Sequence, residues 1–325
     1  MDHSKSRVRR ALVIGWGLIG ADIGLQLLAR GVSVVGLTRS ETRRTAAART
    51  RGVEILIGDA ADPGALSEAM SGVDDVVVAA GGLLPPSAAA SPLEDATATL
   101  APLLTTLEMV RHRGIRAGVT LISSGGTVYG NPQRNPVKET DAVRPISPYG
   151  VSRAMAEMYA QMYARTFGVP VRIARCSNVY GPGQPHDRSQ GAVAVFLHRV
   201  AAGMPVAVVG DGSAQRDYVY IEDVAQAVAT MIVDGIQVDV VNLGSGQACT
   251  VLKLLESVSR VVNRPAVLDF QPARRHDVDA IVLDISRIQA LVEYSPTTLE
   301  EGLRKTWQAG IGGKLEVGSR TKRHA

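Results

Sequence analysis

Six residues near the start of the chain, Gly15-Trp16-Gly17-Leu18-Ile19-Gly20, constrain the fold more than any other segment. They follow a short apolar run at 11–14. They open a stretch in which Ile19, Ile23 and Leu27 recur every four residues, one face of a helix. A G-x-G-x-x-G between a strand and a helix has a physical reading at each glycine. The first permits a tight turn, the second lets a pyrophosphate approach the backbone, and the third lets helix and strand pack closely. The helix N-terminus then meets the phosphate with free N–H groups and the positive end of its dipole. Gly15, Gly17, Leu18, Ile19 and Gly20 are therefore expected to hold a dinucleotide. A glycine-rich turn without a ligand is the alternative.

The segments that follow repeat the same rhythm. Short apolar runs at 33–37, 53–57, 75–79, 119–122 and 171–174 each precede a helical stretch. Strand–helix alternation predicts an α/β fold of the Rossmann type: a doubly wound parallel sheet with helices on both faces. With aromatics at only 4%, the core must come from Val, Ile, Leu and Ala, as in a buried parallel sheet. After Asn178 the rhythm breaks in a Gly/Pro-rich loop at 180–189, and a smaller lobe is expected. The reading places a dinucleotide domain at 8–178 plus about 222–243, where one more helix and strand return to the sheet. A ligand lobe takes about 179–221 and 244–310, and 311–325 reads as a flexible tail.

Composition excludes several classes. A 46% hydrophobic, 20% charged chain with two cysteines is neither disordered nor a disulfide scaffold nor a metal cluster. No metal is expected. No run reaches the roughly 18 apolar residues of a membrane span, so no membrane partner is expected. The basic start followed by apolar 11–20 could pass for a signal peptide. Three glycines and the lack of a clean cleavage site argue for mature protein in a reducing cytoplasm. The net charge of +4 suits an anionic ligand but is too dispersed for nucleic acid.

At the end of the second strand stands Thr38, followed by Arg39, where an acidic residue would bind ribose hydroxyls. A neutral residue plus arginine favours a 2′-phosphate, hence NADP over NAD. Asp59, after the third strand, is placed to bond adenine or to cap the helix before Pro63. Ala60 and Ala79, at the ends of the third and fourth strands, complete the expected cofactor wall.

Tyr149 opens a helix after Ser147-Pro148, and Arg153 follows one turn later on the same face. Four more segments accompany this pair. They are Ser123-Ser124-Gly125-Gly126-Thr127-Val128-Tyr129-Gly130; Arg175 through Gln184 with Asn178-Val179-Tyr180-Gly181; Arg216-Asp217-Tyr218-Val219-Tyr220; and Asn242-Leu243-Gly244, with Arg274 and Asp277 beyond. In this order, over roughly residues 8 to 310, the set resembles the extended short-chain dehydrogenase/reductase family in its sugar-nucleotide epimerase/dehydratase branch. The resemblance implies NAD or NADP in the first domain and a nucleoside diphosphate sugar in the second lobe. It implies Tyr149 as the general acid/base. A tyrosine hydroxyl titrates near 10, so it needs a neighbouring positive charge to act as a base. The family uses lysine for this; here Arg153 keeps the charge but cannot relay a proton. A surface pair of Arg153 with Glu157 is the plainer alternative. The family's catalytic hydroxyl falls at Gly125, leaving Ser124 or Thr127 to supply it, and Thr99 stands where an asparagine is usual. Gly126 and Thr127 replace the acids of the 4,6-dehydratases, which leaves a 4-epimerase first, then an NADPH-dependent keto-sugar reductase or an altered, non-catalytic binding protein.

On the nucleotide side the resemblance implies Asn178, Arg216, Arg274 and Asp277 as substrate contacts. The two arginines suit a diphosphate because a planar fork of donors matches it. His186 lines the sugar pocket or sits in a solvated loop. Leu100, Leu103, Leu104, Leu107 and Val110 form one apolar stripe and Met155, Met158 and Met162 another. In the family, helices at these places pair two copies, so a homodimer is expected.

Overall fold

The computed structural model describes residues 8–113, 117–187, 191–273 and 278–311. The chain begins β1 (Arg10–Ile14), α1 (Leu18–Ala29), β2 (Ser33–Thr38), α2 (Arg43–Arg49), β3 (Glu54–Ile57), α3 (Pro63–Ala69) and β4 (Asp75–Val78). It continues through α4 (Pro85–Ala90), α5 (Pro92–Arg113), β5 (Gly118–Ser124), α6 (Gly125–Val128), α7 (Pro148–Phe167) and β6 (Val171–Cys176). Shorter pieces follow: β7 (Asn178–Tyr180), α8 (Ala192–Ala202), β8 (Val206–Val209), β9 (Gln215–Arg216) and β10 (Tyr218–Tyr220). Then come α9 (Ile221–Val233), β11 (Val240–Leu243), β12 (Cys249–Thr250), α10 (Val251–Val262), β13 (Leu268–Gln271), β14 (Ala280–Ile281), α11 (Ser286–Leu291) and α12 (Leu299–Thr306).

Seven strands form one parallel sheet in the order β11-β6-β5-β4-β1-β2-β3. The expected α/β Rossmann sheet is present, and the segment after 222 does rejoin it as β11. The strands differ from expectation at their ends. β2, β5 and β6 run on to Thr38, Ser124 and Cys176, whereas β4 stops at Val78. The chain winds outward from β1 to β3, then returns to build β4 on the other side of β1. That reversal opens a crevice at the carboxyl ends of β1 and β4, the place where such sheets bind ligands.

Side-chain alternation divides the core. Ala11 and Val13 of β1 join the cluster under α1 and α9, while Leu12 and Ile14 join the one under α5 and α7. In the first cluster Trp16 is 4% exposed. Its ring lies where a Cβ on Gly24 or Gly36 would approach to 2.5 Å, so both glycines are needed to seat it. A third cluster joins α8 and α10 to β7, β8 and β10. Most of the leucine stripe on α5 serves the core: Leu103, Leu107 and Val110 are buried. Of the methionines on α7, Met162 packs against the second cluster, whereas Met158 is 68% exposed. No helix among the described residues is long and apolar enough to cross a membrane. Of the expected tail at 311–325, residues 312–325 lie outside the described residues.

Candidate active site

The loop from Gly15 to Gly20 is shaped by contacts that only glycine allows. Gly15 has φ +92° and its N–H donates to Leu37 O at 2.8 Å. A Cβ there would lie 2.6 Å from the backbone nitrogen of Ala80, and one on Gly20 would lie 2.0 Å from Gly15 O. Gly17 is the opposite case. It is exposed, nothing stands within 4 Å of its would-be Cβ, and α1 starts without a side-chain cap. The open backbone and unclaimed N–H groups fit a diphosphate. Leu18 and Ile19 pack inward, so only their backbone faces the loop. Ala79 approaches Gly20, and Ala60 is buried at the end of β3.

Thr38 is half-buried at the end of β2 and Arg39 is exposed beside it. Asp59 does not cap α3. That role belongs to Asp62, whose carboxylate accepts the Gly64 N–H, with Pro63 in the first turn. Asp59 accepts the Ala61 N–H at 2.9 Å and stays exposed at the sheet end.

One cation at this loop had no local signal in the sequence. From α2, Arg44 donates to Gly17 O at 3.4 Å and Leu18 O at 3.5 Å, and to Gly183 O at 3.1 Å across the crevice. Asp22 lies 3.7 Å from the same guanidinium. Burial pushes the Asp22 carboxyl up to about 6, against the pull of Arg44.

The candidate catalytic side chains sit on α7 and the end of β5. Ser147 caps α7 by accepting the Gly150 N–H, and Pro148 takes the first position, so Tyr149 stands in the first turn. Gly150 packs on α6, since a Cβ there would lie 2.9 Å from Thr127 O. One turn on, the Arg153 guanidinium carbon is 4.9 Å from the Tyr149 ring centre, and its Nη2 donates to Gly81 O at 2.5 Å. The alternative pair with Glu157 does not form. Glu157 is buried and binds Arg175 through contacts of 2.6 to 3.1 Å, and accepts the Ser123 hydroxyl at 2.5 Å. Arg175 donates in turn to the Tyr129 hydroxyl at 2.8 Å, which donates to Asn242 Oδ1 at 2.7 Å. This chain of bonds ties α7, β6 and β11 together behind the site.

The two hydroxyls left open by the sequence are distinguished here. Thr127 donates back to Ser124 O at 3.4 Å. Ser124 is half-buried, caps no N–H of α6, and its hydroxyl has no partner among the described residues. A side chain at Gly125 would meet Leu283 Cδ1 at 2.7 Å and Arg175 O at 3.0 Å, which accounts for glycine there. Gly126 is open, its nearest neighbour being the Asn178 side chain at 3.6 Å. Asn178 therefore faces the Ser124 loop. Its N–H and Nδ2 both donate to Asp217 O at 3.0 Å.

Asp217 is fully buried and accepts from Ser177, Ser245, Gly246 and Leu283 at 2.7 to 3.2 Å, joining the sheet to the later segments. Beside it, Arg216 is half-buried in β9, with Nη1 on Gln215 O and Asp279 O. Arg274 and Asp277 lie outside the described residues. His186 stacks on His198 of α8, ring centres 4.0 Å apart. Burial pushes the Cys176 thiol up to about 12, so it stays protonated and inert. Among the described residues no group of three or more His, Cys, Asp or Glu side chains could hold a metal ion.

Residues 11–244 match the model of the NAD dependent epimerase/dehydratase family. The UDP-glucose 4-epimerase of Mycolicibacterium smegmatis is 32% identical over 91% of this chain and 97% of its own length. An Escherichia coli dTDP-4-dehydro-6-deoxyglucose reductase is 36% identical over 58% of this chain, a match that spans 59% of that enzyme. The crystal structure of Thermus thermophilus UDP-glucose 4-epimerase in complex with NAD is 30% identical. It superposes with a TM-score of 0.84, covering 92% of this chain and 98% of that one. The matched segment runs from the first strand of the sheet to its last, and the chain belongs to the NAD-dependent epimerase/dehydratase family.

Proposed function

We propose that the protein is a nucleoside-diphosphate-sugar 4-epimerase that keeps NAD bound. The observation that carries this reading is the Arg153 guanidinium 4.9 Å from the Tyr149 ring centre, on a helix whose first turn packs at Gly150 against the loop that carries the Ser124 hydroxyl. NAD, when bound, supplies the acceptor and donor of hydride for the sugar carbon. Tyr149 takes the proton of the sugar hydroxyl as that carbon becomes a ketone, and returns a proton when the ketone is reduced. Arg153 places a permanent positive charge against the ring that must carry phenolate. Ser124 donates to the reacting oxygen and so shares the charge that develops there. Gly126 and Thr127 bring no acid to this loop, which argues against loss of water. Asn178, Arg216 and Arg274 hold the substrate's diphosphate and sugar.

A second reading, an NADPH-dependent keto-sugar reductase, is favoured by Thr38 and the exposed Arg39 at the ribose end. One experiment separates the two. The purified protein is denatured, the released dinucleotide is identified by mass spectrometry, and conversion of UDP-galactose to UDP-glucose is followed in wild type and Tyr149→Phe. Stoichiometric NAD, with turnover lost in the variant, is expected. NADP(H) without epimerisation would transfer the assignment to the reductase, and unchanged turnover in Tyr149→Phe would remove Tyr149 from the mechanism.

A further inference from the structure

The first turn of α5 carries a carboxylate that the chemistry above does not use. Asp95 is 0% exposed. Its Oδ1 accepts the Leu83 N–H at 2.7 Å, while Oδ2 has no hydrogen-bond partner. One turn along, Thr99 is buried and its hydroxyl is also unpartnered, as is Nε of Arg153. The three side chains converge on Gly82, which has φ +70°. A Cβ there would lie 2.7 Å from Thr99 Oγ1, 2.8 Å from Asp95 Oδ1 and 3.0 Å from Arg153 Nη2. Carboxylate and guanidinium are thus within about 6 Å of each other, though not in direct contact, with the carboxylate fully buried and the guanidinium Nε shielded, where opposite charges attract more strongly than at a surface. A buried carboxylate with one hydrogen bond is unfavourable without a counter-charge. A guanidinium likewise needs fixed acceptors for its fork of donors, and Gly81 O satisfies only one of them.

We propose that Asp95 is a positioning residue for Arg153, holding the guanidinium between the Tyr149 ring and the Gly81 carbonyl. The proposal rests on reading Tyr149 and Arg153 as the acid/base pair. It also bears on arginine at this position: the longer, planar group extends to Gly82, beside which the Asp95 carboxylate sits.

The test is a double-mutant cycle in the full-length protein with two readouts: UDP-galactose turnover and NADH affinity from its fluorescence. Asp95→Asn keeps the size of the side chain and the oxygen that accepts the Leu83 N–H, removes the charge and puts an amide NH2 in place of the unpartnered Oδ2. A displaced guanidinium is expected to lower kcat by about ten- to a hundred-fold, with the KM for UDP-galactose little changed. NADH affinity falls with it. Arg153→Met produces its own loss, and adding Asp95→Asn to it changes either readout by less than two-fold. A purely structural role would make the two losses multiply, and that result overturns the proposal, as does wild-type kcat and NADH affinity in Asp95→Asn. If Asp95→Asn loses its thermal transition, Asp95→Ser is read in the same cycle. Full turnover in both Tyr149→Phe and Arg153→Met would sink the acid/base reading instead, and the NADH cycle alone would then decide the role of Asp95.

Discussion

The ion pair behind the site makes a quantitative prediction. Glu157 and Arg175 are each 3% exposed, and the guanidinium reaches the carboxylate through both Nε and Nη2. Glu157 lies one turn beyond Arg153 on α7, so this contact fixes the helix that carries Tyr149 to the end of β6. Removing one partner strands the other charge in the interior, which costs about 3–5 kcal/mol. Unfolding entropy near 2.1 cal/mol/K per residue gives a chain of this length about 0.7 kcal/mol/K, so Tm should drop by about 4–7 °C. Scanning calorimetry of Glu157→Gln, Arg175→Met and the double variant measures this. The double variant should lose at least about 2 kcal/mol less than the sum of the singles, because no charge is left stranded. It should not recover fully, since the Tyr129 hydroxyl would still lack the Arg175 donor. Additivity within about 0.5 kcal/mol, or a single-variant loss below about 1 kcal/mol, would refute the reasoning.

Two further outcomes are expected. The raised Asp22 carboxyl means the folded chain holds that proton more tightly than the unfolded chain does, so its contribution to stability is complete below about pH 4 and is lost as pH rises through 6. Asp22→Asn should therefore unfold at higher denaturant than wild type at pH 7.5 and show no gain at pH 4. With 34% of the side chain exposed, water screens the effect and the gain is about 1–2 kcal/mol; equal stability at pH 7.5 would count against the burial argument. The exposed Val151, Met158, Tyr159 and Phe167 on α7 are expected to cover one another in a homodimer built on α5 and α7. Light scattering should give a dimer for wild type and a monomer for Met158→Glu, and a monomeric wild type would exclude this contact.

The sheet was legible because local rules determine it. The apolar alternation in 11–14, the glycines at 15, 17 and 20, and the four-residue spacing after them need no distant partner. The start of α7 was legible for the same reason: Ser147 as cap and Pro148 in the first turn are local helix-start signals. What escaped the sequence are pairings across long separations. Spacing alone allowed Arg153 to meet Glu157, yet Glu157 turns inward to Arg175, 18 residues away. Arg44 reaches Gly183 across 139 residues, and no periodicity announces it. Ser124 and Thr127 were equivalent on paper. Only the start of α6 separates them, because it turns Thr127 back onto its own helix and leaves Ser124 free.

The indole wedged between Gly24 and Gly36 has an optical consequence. The chain has two tryptophans, and Trp16 lies inside the cofactor loop itself, rigid and shielded from water. Its emission should be that of an apolar environment. A reduced dinucleotide seated on Gly15 and Gly17 would lie close enough to take up that excitation and re-emit it as its own. With a dinucleotide in that loop, Trp16 would act as a built-in fluorescent reporter of its occupancy, with no label attached.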